Sequence, residues 1–187
     1  MSACAARRRG LGLAELLVVL AVTGVLLALG LPNFGAMIAR QRLRTAANDL
    51  FAAIELTRSQ AIARGRRVMM APLDPAGRDW LQGWAVFVDR NGDGRPDQDD
   101  EWISTRGAVA PGMTILSSFA PASGPFYIAY NGSGRSCSAI NSQASRPGTL
   151  SLWSGANARH ITINMLGRAR ICDPARQAKT CNGVSGP

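Results

Sequence analysis

The sequence of 187 residues predicts an α+β fold in which one long N-terminal helix packs on an antiparallel β-sheet. Three observations predict it. Residues 11–31 are apolar or small at every position but Glu15 and Thr23. Residues 40–64 place apolar side chains three and four apart, the period of a helix with one buried face. From residue 66 onward the chain breaks into short runs rich in β-branched and aromatic residues, separated by Gly, Pro, Asn and Ser.

Residues 1–10 form a basic leader, with Arg7, Arg8 and Arg9 ahead of Gly10. The run over 11–31, at about 1.5 Å per residue, makes roughly 32 Å of helix, enough to cross a hydrocarbon core of about 30 Å. A basic leader and an apolar run also fit a secretory signal peptide, with "ALG" at 28–30 as its cleavage site. The length of the run and the ionisable Glu15 oppose that reading. Residues 32–65 continue as an amphipathic helix: Leu43, Ala47, Leu50, Ile54 and Ala61 share one face, while Arg40, Arg42, Arg44, Asp49, Glu55 and Arg64 take the others. Pro32 predicts a bend, because it lacks a donor and its ring crowds the preceding turn. Gly65 predicts the stop. Residues 66–187 form a β-rich head with runs at 66–72, 83–89, 101–106, 113–119, 126–131, 148–154, 160–165 and 167–173, and the short turns between them favour antiparallel pairing.

The formal charge of +9 falls to +6 without the leader arginines, and it is uneven. Residues 89–101 hold six acids against Arg90 and Arg95, whereas residues 102–187 hold eight bases against Asp173 alone. A basic C-terminal half suits either an anionic partner or solubility. Beyond Cys4 of the leader, the cysteines are Cys137, Cys172 and Cys181. In an oxidising compartment two pair and one is left over; Cys172 with Cys181, closing "CDPARQAKTC", is the preferred pair among the alternatives. The single histidine, His160, has neither zinc-ligand spacing to the cysteines nor a nucleophile and acid around it, and no phosphate-binding glycine loop is present. No enzyme is expected.

A carboxylate in an apolar helix marks a partner. A chain cut between Gly10 and Leu11 has a free α-amine one helical turn from Glu15, and in staggered parallel helices the acid of one subunit neutralises the amine of the next. Gly10, Leu11, Glu15, the stretch "LLVVLAVTGVLLALGLPNF" and Pro32 within it resemble the class III signal of type IV pilins and type II secretion pseudopilins, with Leu11 where phenylalanine is usual. The blocks "RLRTAANDLFAAIELTRSQAIARGRRVMM", "GWAVFVDRNGDGRPDQDDE" and "GRAR" are similar to the FimT, FimU and GspH group of minor pilins, most of all to its FimT-like branch. The resemblance implies a type IV pilin-like fold, cleavage after Gly10 by prepilin peptidase, and methylation of Leu11. It also implies an inner-membrane anchor with a periplasmic C-terminal domain, and assembly with other major and minor pilins in a pilus fibre or tip.

Two sites are expected in the head. In "DRNGDGRPDQDD", Asp89, Asn91, Asp93, Gly94 and Asp100 follow the spacing of a calcium loop. An acidic hairpin, with Asn91-Gly92 and Asp93-Gly94 as turn pairs, fits the same residues without a metal. Pro96 and the strand-like flanks favour the hairpin. In "NMLGRARICD", Arg168 and Arg170 are two apart on a strand and project to one face after a tight turn at Gly167. Arg135, Arg146, Arg159, Arg176 and Lys179 lie in neighbouring segments, and together they make the cationic footprint of a nucleic-acid binder. Such arginines also occur on solvated strands with no ligand. The resemblance adds that a GRxR motif in the FimT-like branch is associated with DNA uptake in natural transformation; Gly167, Arg168 and Arg170 match it. The expected ligand is double-stranded DNA, bound without sequence preference. The alternative is a minor pseudopilin that primes a pilus or a type II secretion pseudopilus without touching DNA.

Overall fold

The computed structural model describes residues 12–119 and 125–184, without the side chains of residues 27–33. Gly10 and Leu11, the expected processing site, lie outside the described residues. Helix α1 (Leu13–Arg64) carries Glu15 in its first turn, where the helix dipole favours an acid. The Thr23 hydroxyl donates to the Val19 carbonyl at 2.7 Å, so the other polar group of the run is satisfied within the helix. The side chains of Leu16, Leu17, Val18, Val19 and Leu20 are all more than half exposed. No helix among the described residues is long and apolar enough to cross a membrane. The expected span over 11–31 includes Leu11 and side chains outside the described set, as does the bend expected at Pro32.

Residues up to Ala39 and residues from Arg40 onward form two compact units. In the second unit, Leu43, Ala47, Leu50, Ile54 and Ala61 are all essentially inaccessible and join the main core, the face the periodicity predicts. The helix ends as expected. Gly65 sits at φ 60°, its amide reaches the Ile62 carbonyl, and the Arg66 amide reaches the Ala61 carbonyl, so two of the last carbonyls are capped by a left-handed residue.

Each of the eight runs overlaps a strand: β1 (Val68–Pro72), β2 (Trp84–Val88), β3 (Glu101–Arg106), β4 (Thr114–Ser117), β5 (Ile128–Tyr130), β6 (Gly148–Ser154), β7 (Asn157–Ile163) and β8 (Ala169–Cys172). They form two antiparallel sheets and not one, ordered β3-β2-β1-β5 and β4-β6-β7-β8. The division follows from β4, which leaves its sequence neighbour β3 to pair with β6. β7 also starts three residues earlier than expected, because Gly155 at φ 55° makes the connection to β6 a two-residue turn that extends the ladder to Ser154 and Asn157.

The inner faces of both sheets meet the helix: Val68, Met70, Val86 and Tyr130 from the first and Leu150, Leu152, Ile161 and Ile163 from the second share one core with Leu50 and Ile54. A second, smaller cluster of Met69, Ala71, Ala85, Phe87, Ala129 and Cys137 lies on the other face of the first sheet, with Tyr127 and Ala139 against it. This is why β1 and β2 read as unbroken apolar runs; both of their faces are covered.

Candidate nucleic-acid interface

The register of the second sheet builds the site. Thr162 pairs with Arg170 and Ile163 with Ala169, while the Asn164 amide donates to the Arg168 carbonyl at 3.2 Å. Successive side chains on a strand alternate in direction, so Thr162, Asn164, Arg168 and Arg170 share the outer face, and Ile161, Ile163, Ala169 and Ile171 point to the core. Thr149 of β6, opposite Thr162, extends the row. A surface groove of about 410 Å³ runs along this row, closed on its far side by Thr180 and Asn182. Its lining offers two guanidinium groups, hydroxyls and amides, and no carboxylate.

Both ends of the groove are anchored. At one end, Gly167 (φ 80°) donates to the Asn164 carbonyl at 2.9 Å, and the Asn164 side chain accepts the Arg168 amide at 2.9 Å. At the other, Cys172 and Cys181 form a disulfide with a Cα–Cα distance of 5.8 Å, which lays residues 181–184 across the outer face. The Val184 amide donates to Ser151 Oγ at 2.9 Å, and Gly183 lies so close to the His160 ring that a Cβ has no room there. Arg170 Nη2 donates to the Thr180 carbonyl at 2.5 Å, which orients that guanidinium beside the groove. Arg168 is exposed, and its guanidinium makes no hydrogen bond or ion pair among the described residues.

The other cations expected in one surface are separated from this pair. Arg159 lies one register step beyond Ile161, on the helix side of the sheet, and binds Asp173 at 2.9 Å. Arg176 approaches the same carboxylate at 3.8 Å. Arg44 and Asn48 of the helix border these two arginines in a groove of their own. Lys179 is exposed in the disulfide loop, and Arg135 is exposed beyond β5. Arg146 is structural. It is buried, its guanidinium lies 3.7 Å from the centre of the Tyr127 ring, it donates to the Tyr127 carbonyl at 2.6 Å, and burial pulls its pKa below the ordinary value. The cations lining the groove thus narrow to Arg168 and Arg170, while Arg135 borders a separate groove with Asn131 and Ser142 and Lys179 precedes Thr180 in the chain.

The acidic loop is arranged as a self-bonded hairpin. Asp89 accepts the amides of Gly92 and Gly94, Asn91 that of Asp93, Asp93 that of Arg95, and Asp100 those of Arg90 and Asp97. These side-chain oxygens accept the loop's own amides, and no group of three or more His, Cys, Asp or Glu side chains among the described residues is placed to hold a metal. Asp89, Asn91, Asp93 and Asp100, the residues of the expected calcium loop, are the side chains that accept these amides. The loop's charge is met by arginine: Glu101 pairs with Arg64 of the helix and with Arg90 at 3.0 Å, and these hydrogen bonds hold its carboxyl below the usual range. Burial, opposed by two amide hydrogen bonds, raises Asp100.

Residues 46–167 match the family described as Type II transport protein GspH. The chain belongs to the GspH family. It is 32 % identical over 166 residues to the Pilin-like protein PilA1 of Thermus thermophilus, covering 88 % of this chain and 98 % of that protein. Its fold is similar to the type IV minor pilin FimU of Pseudomonas aeruginosa, with a TM-score of 0.56, 18 % identity, and 71 % and 90 % of the two chains covered. It is also similar to the minor pseudopilin EpsH of the type 2 secretion system of Vibrio cholerae, with a TM-score of 0.50, 13 % identity, and 71 % and 98 % covered. As a GspH-family chain it is a minor pilin or pseudopilin, a structural subunit and not an enzyme, which assembles with other pilins or pseudopilins.

Proposed function

We propose that this GspH-family subunit is cut between Gly10 and Leu11 by prepilin peptidase, methylated on Leu11, and held in the inner membrane by residues 11–31 with its head in the periplasm. Incorporated in a type IV pilus, it binds double-stranded DNA without sequence preference for uptake in natural transformation. One observation carries the DNA reading: Arg168 and Arg170 stand on the same exposed face with neutral hydrogen-bonding neighbours and no acid in the groove. Guanidinium groups present planar forks of donors with a permanent charge, which suits phosphate oxygens, and phosphate contacts position a protein on the duplex without reading its sequence.

The second reading is a subunit that primes a pilus or a secretion pseudopilus without DNA. It is favoured by the neutralisation of Arg159 and the approach of Arg176 to Asp173, which leave a smaller cationic face. Mobility shifts of a DNA duplex with the full chain in detergent decide between them. A shift that is lost in Arg168→Ala plus Arg170→Ala, at unchanged thermal unfolding, is the expected result; a shift that persists in the double variant rejects these residues as the contact.

A further inference from the structure

We propose that the tip of the β7–β8 turn, Met165 and Leu166, is an apolar wedge that enters a base step of the duplex held by Arg168 and Arg170. The proposal rests on the DNA reading above and adds how the duplex is gripped. Both side chains are largely exposed, at 60 % and 61 %, two large apolar groups side by side on the end of a hairpin.

The turn does not require them. Its chemistry is supplied at its ends, by Asn164 in the first position and Gly167 in the fourth, where the amide of Gly167 closes onto the carbonyl of Asn164. The two central positions of such a turn accept most residues, and polar ones leave less apolar surface in water.

The base of the turn is rigidly seated while its tip is bare. Ser136 Oγ donates to the Asn164 carbonyl at 3.0 Å, and Gly167 is packed so tightly that a Cβ meets the Gly134 carbonyl, the Ser136 amide and the Tyr130 ring. A wedge needs that stiffness, because a tip that folds back on contact cannot part stacked bases.

Cations stand near the tip. Arg168 and Arg170 follow it along the hairpin, and Arg135 is exposed next to the Ser136 that holds it down. Asp173, the only acid of residues 102–187, lies on the opposite face of the sheet. An apolar point beside cations matches a nucleic-acid groove, where phosphates border a stack of bases. Minor-groove proteins insert Met and Leu side chains between base steps in this way, unstacking them in part. Pyrimidine–purine steps open most easily and are the expected point of entry.

The test uses the full chain in detergent and duplexes carrying 2-aminopurine at a TA step, whose fluorescence rises when the base unstacks. Binding of the unaltered protein is expected to raise the fluorescence. Met165→Ser plus Leu166→Ser is expected to abolish the rise and to weaken binding about tenfold, with the dependence on salt unchanged because no phosphate contact is removed. Arginine-dependent binding with no fluorescence rise and the same affinity in the serine double variant overturns the wedge and leaves the DNA reading standing. No binding by the unaltered protein removes both. A serine double variant that binds DNA normally but fails to enter filaments assigns the tip to a neighbouring subunit and also overturns the wedge.

Discussion

Gly167 occupies the tightest point of the β7–β8 turn. Its φ of 80° lies in the left-handed region, and a Cβ there meets the Ser136 amide at 2.9 Å and the Tyr130 ring at 2.8 Å. Gly167→Ala is therefore expected to destabilise the head by more than about 1 kcal/mol, through both backbone strain and overpacking. Denaturant unfolding reads this directly; an unchanged midpoint contradicts it. His160 makes a second prediction. Its ring is buried against Trp153, its Nδ1 has no hydrogen-bond partner among the described residues, and burial lowers its pKa. As pH falls through the ordinary value of about 6.5 the unfolded chain therefore takes up a proton more readily than the folded chain, and stability is lost. His160→Phe is expected to flatten that decline between neutral pH and about pH 5, measured as the melting temperature against pH. An equal decline in both proteins contradicts it. At this scale strand alternation put Arg168 and Arg170 on one face, but the sequence reading did not part Arg159 from them. Arg168, Arg170 and Arg159 are all arginines of one hairpin, yet a difference of one in strand parity sends Arg159 to Asp173 and the other two to the open face. Counting the β7–β8 register outward from Gly167 assigns all three without coordinates.

Helix α1 and the eight strands were legible because their signals are local: a period of three to four for the buried face of residues 43–61, and β-branched runs bounded by turn residues for the strands. Their division into two sheets was not. Which strand β4 joins depends on a partner far along the chain, Leu150 for Ser117 and Trp153 for Thr114, and nothing within "MTILSSF" encodes that partner. The burial of β1 on both faces likewise depends on Tyr127, Cys137 and Ala139 from the far side of the first sheet. Leu50 is where these elements converge. It is inaccessible, and it lies in the core that joins both sheets to the helix. Leu50→Ala is expected to cost about 2–5 kcal/mol, since the rigid sheets limit collapse of the cavity. A loss below about 1 kcal/mol in reversible denaturation contradicts the placement of the core at this contact.

At the scale of the whole molecule, a bare apolar helix and a folded head divide the work. The leucines and valines of residues 13–26 are more than half exposed among the described residues, and on the proposed reading lipid and neighbouring subunits cover them. The proposed role of Glu15 belongs here. Glu15→Ala is expected to leave the head folded and the anchor inserted but to reduce incorporation into filaments; normal incorporation, read from sheared pilus fractions, contradicts the pairing of that acid with the α-amine of a neighbour. The head in turn separates its charges. The acidic hairpin is balanced by Arg64, Arg67 and Arg90, and Asp173 holds Arg159, so the outer face of the second sheet keeps its arginines uncompensated by carboxylate. That separation is the central claim, and the salt dependence of DNA affinity tests it most directly. Binding of the full chain is expected to weaken steeply with salt, and Arg168→Ala plus Arg170→Ala is expected to lower the slope of log affinity against log salt by about 2, one phosphate for each guanidinium lost. An identical slope in the double variant, or no binding by the unaltered protein even at low salt, contradicts it.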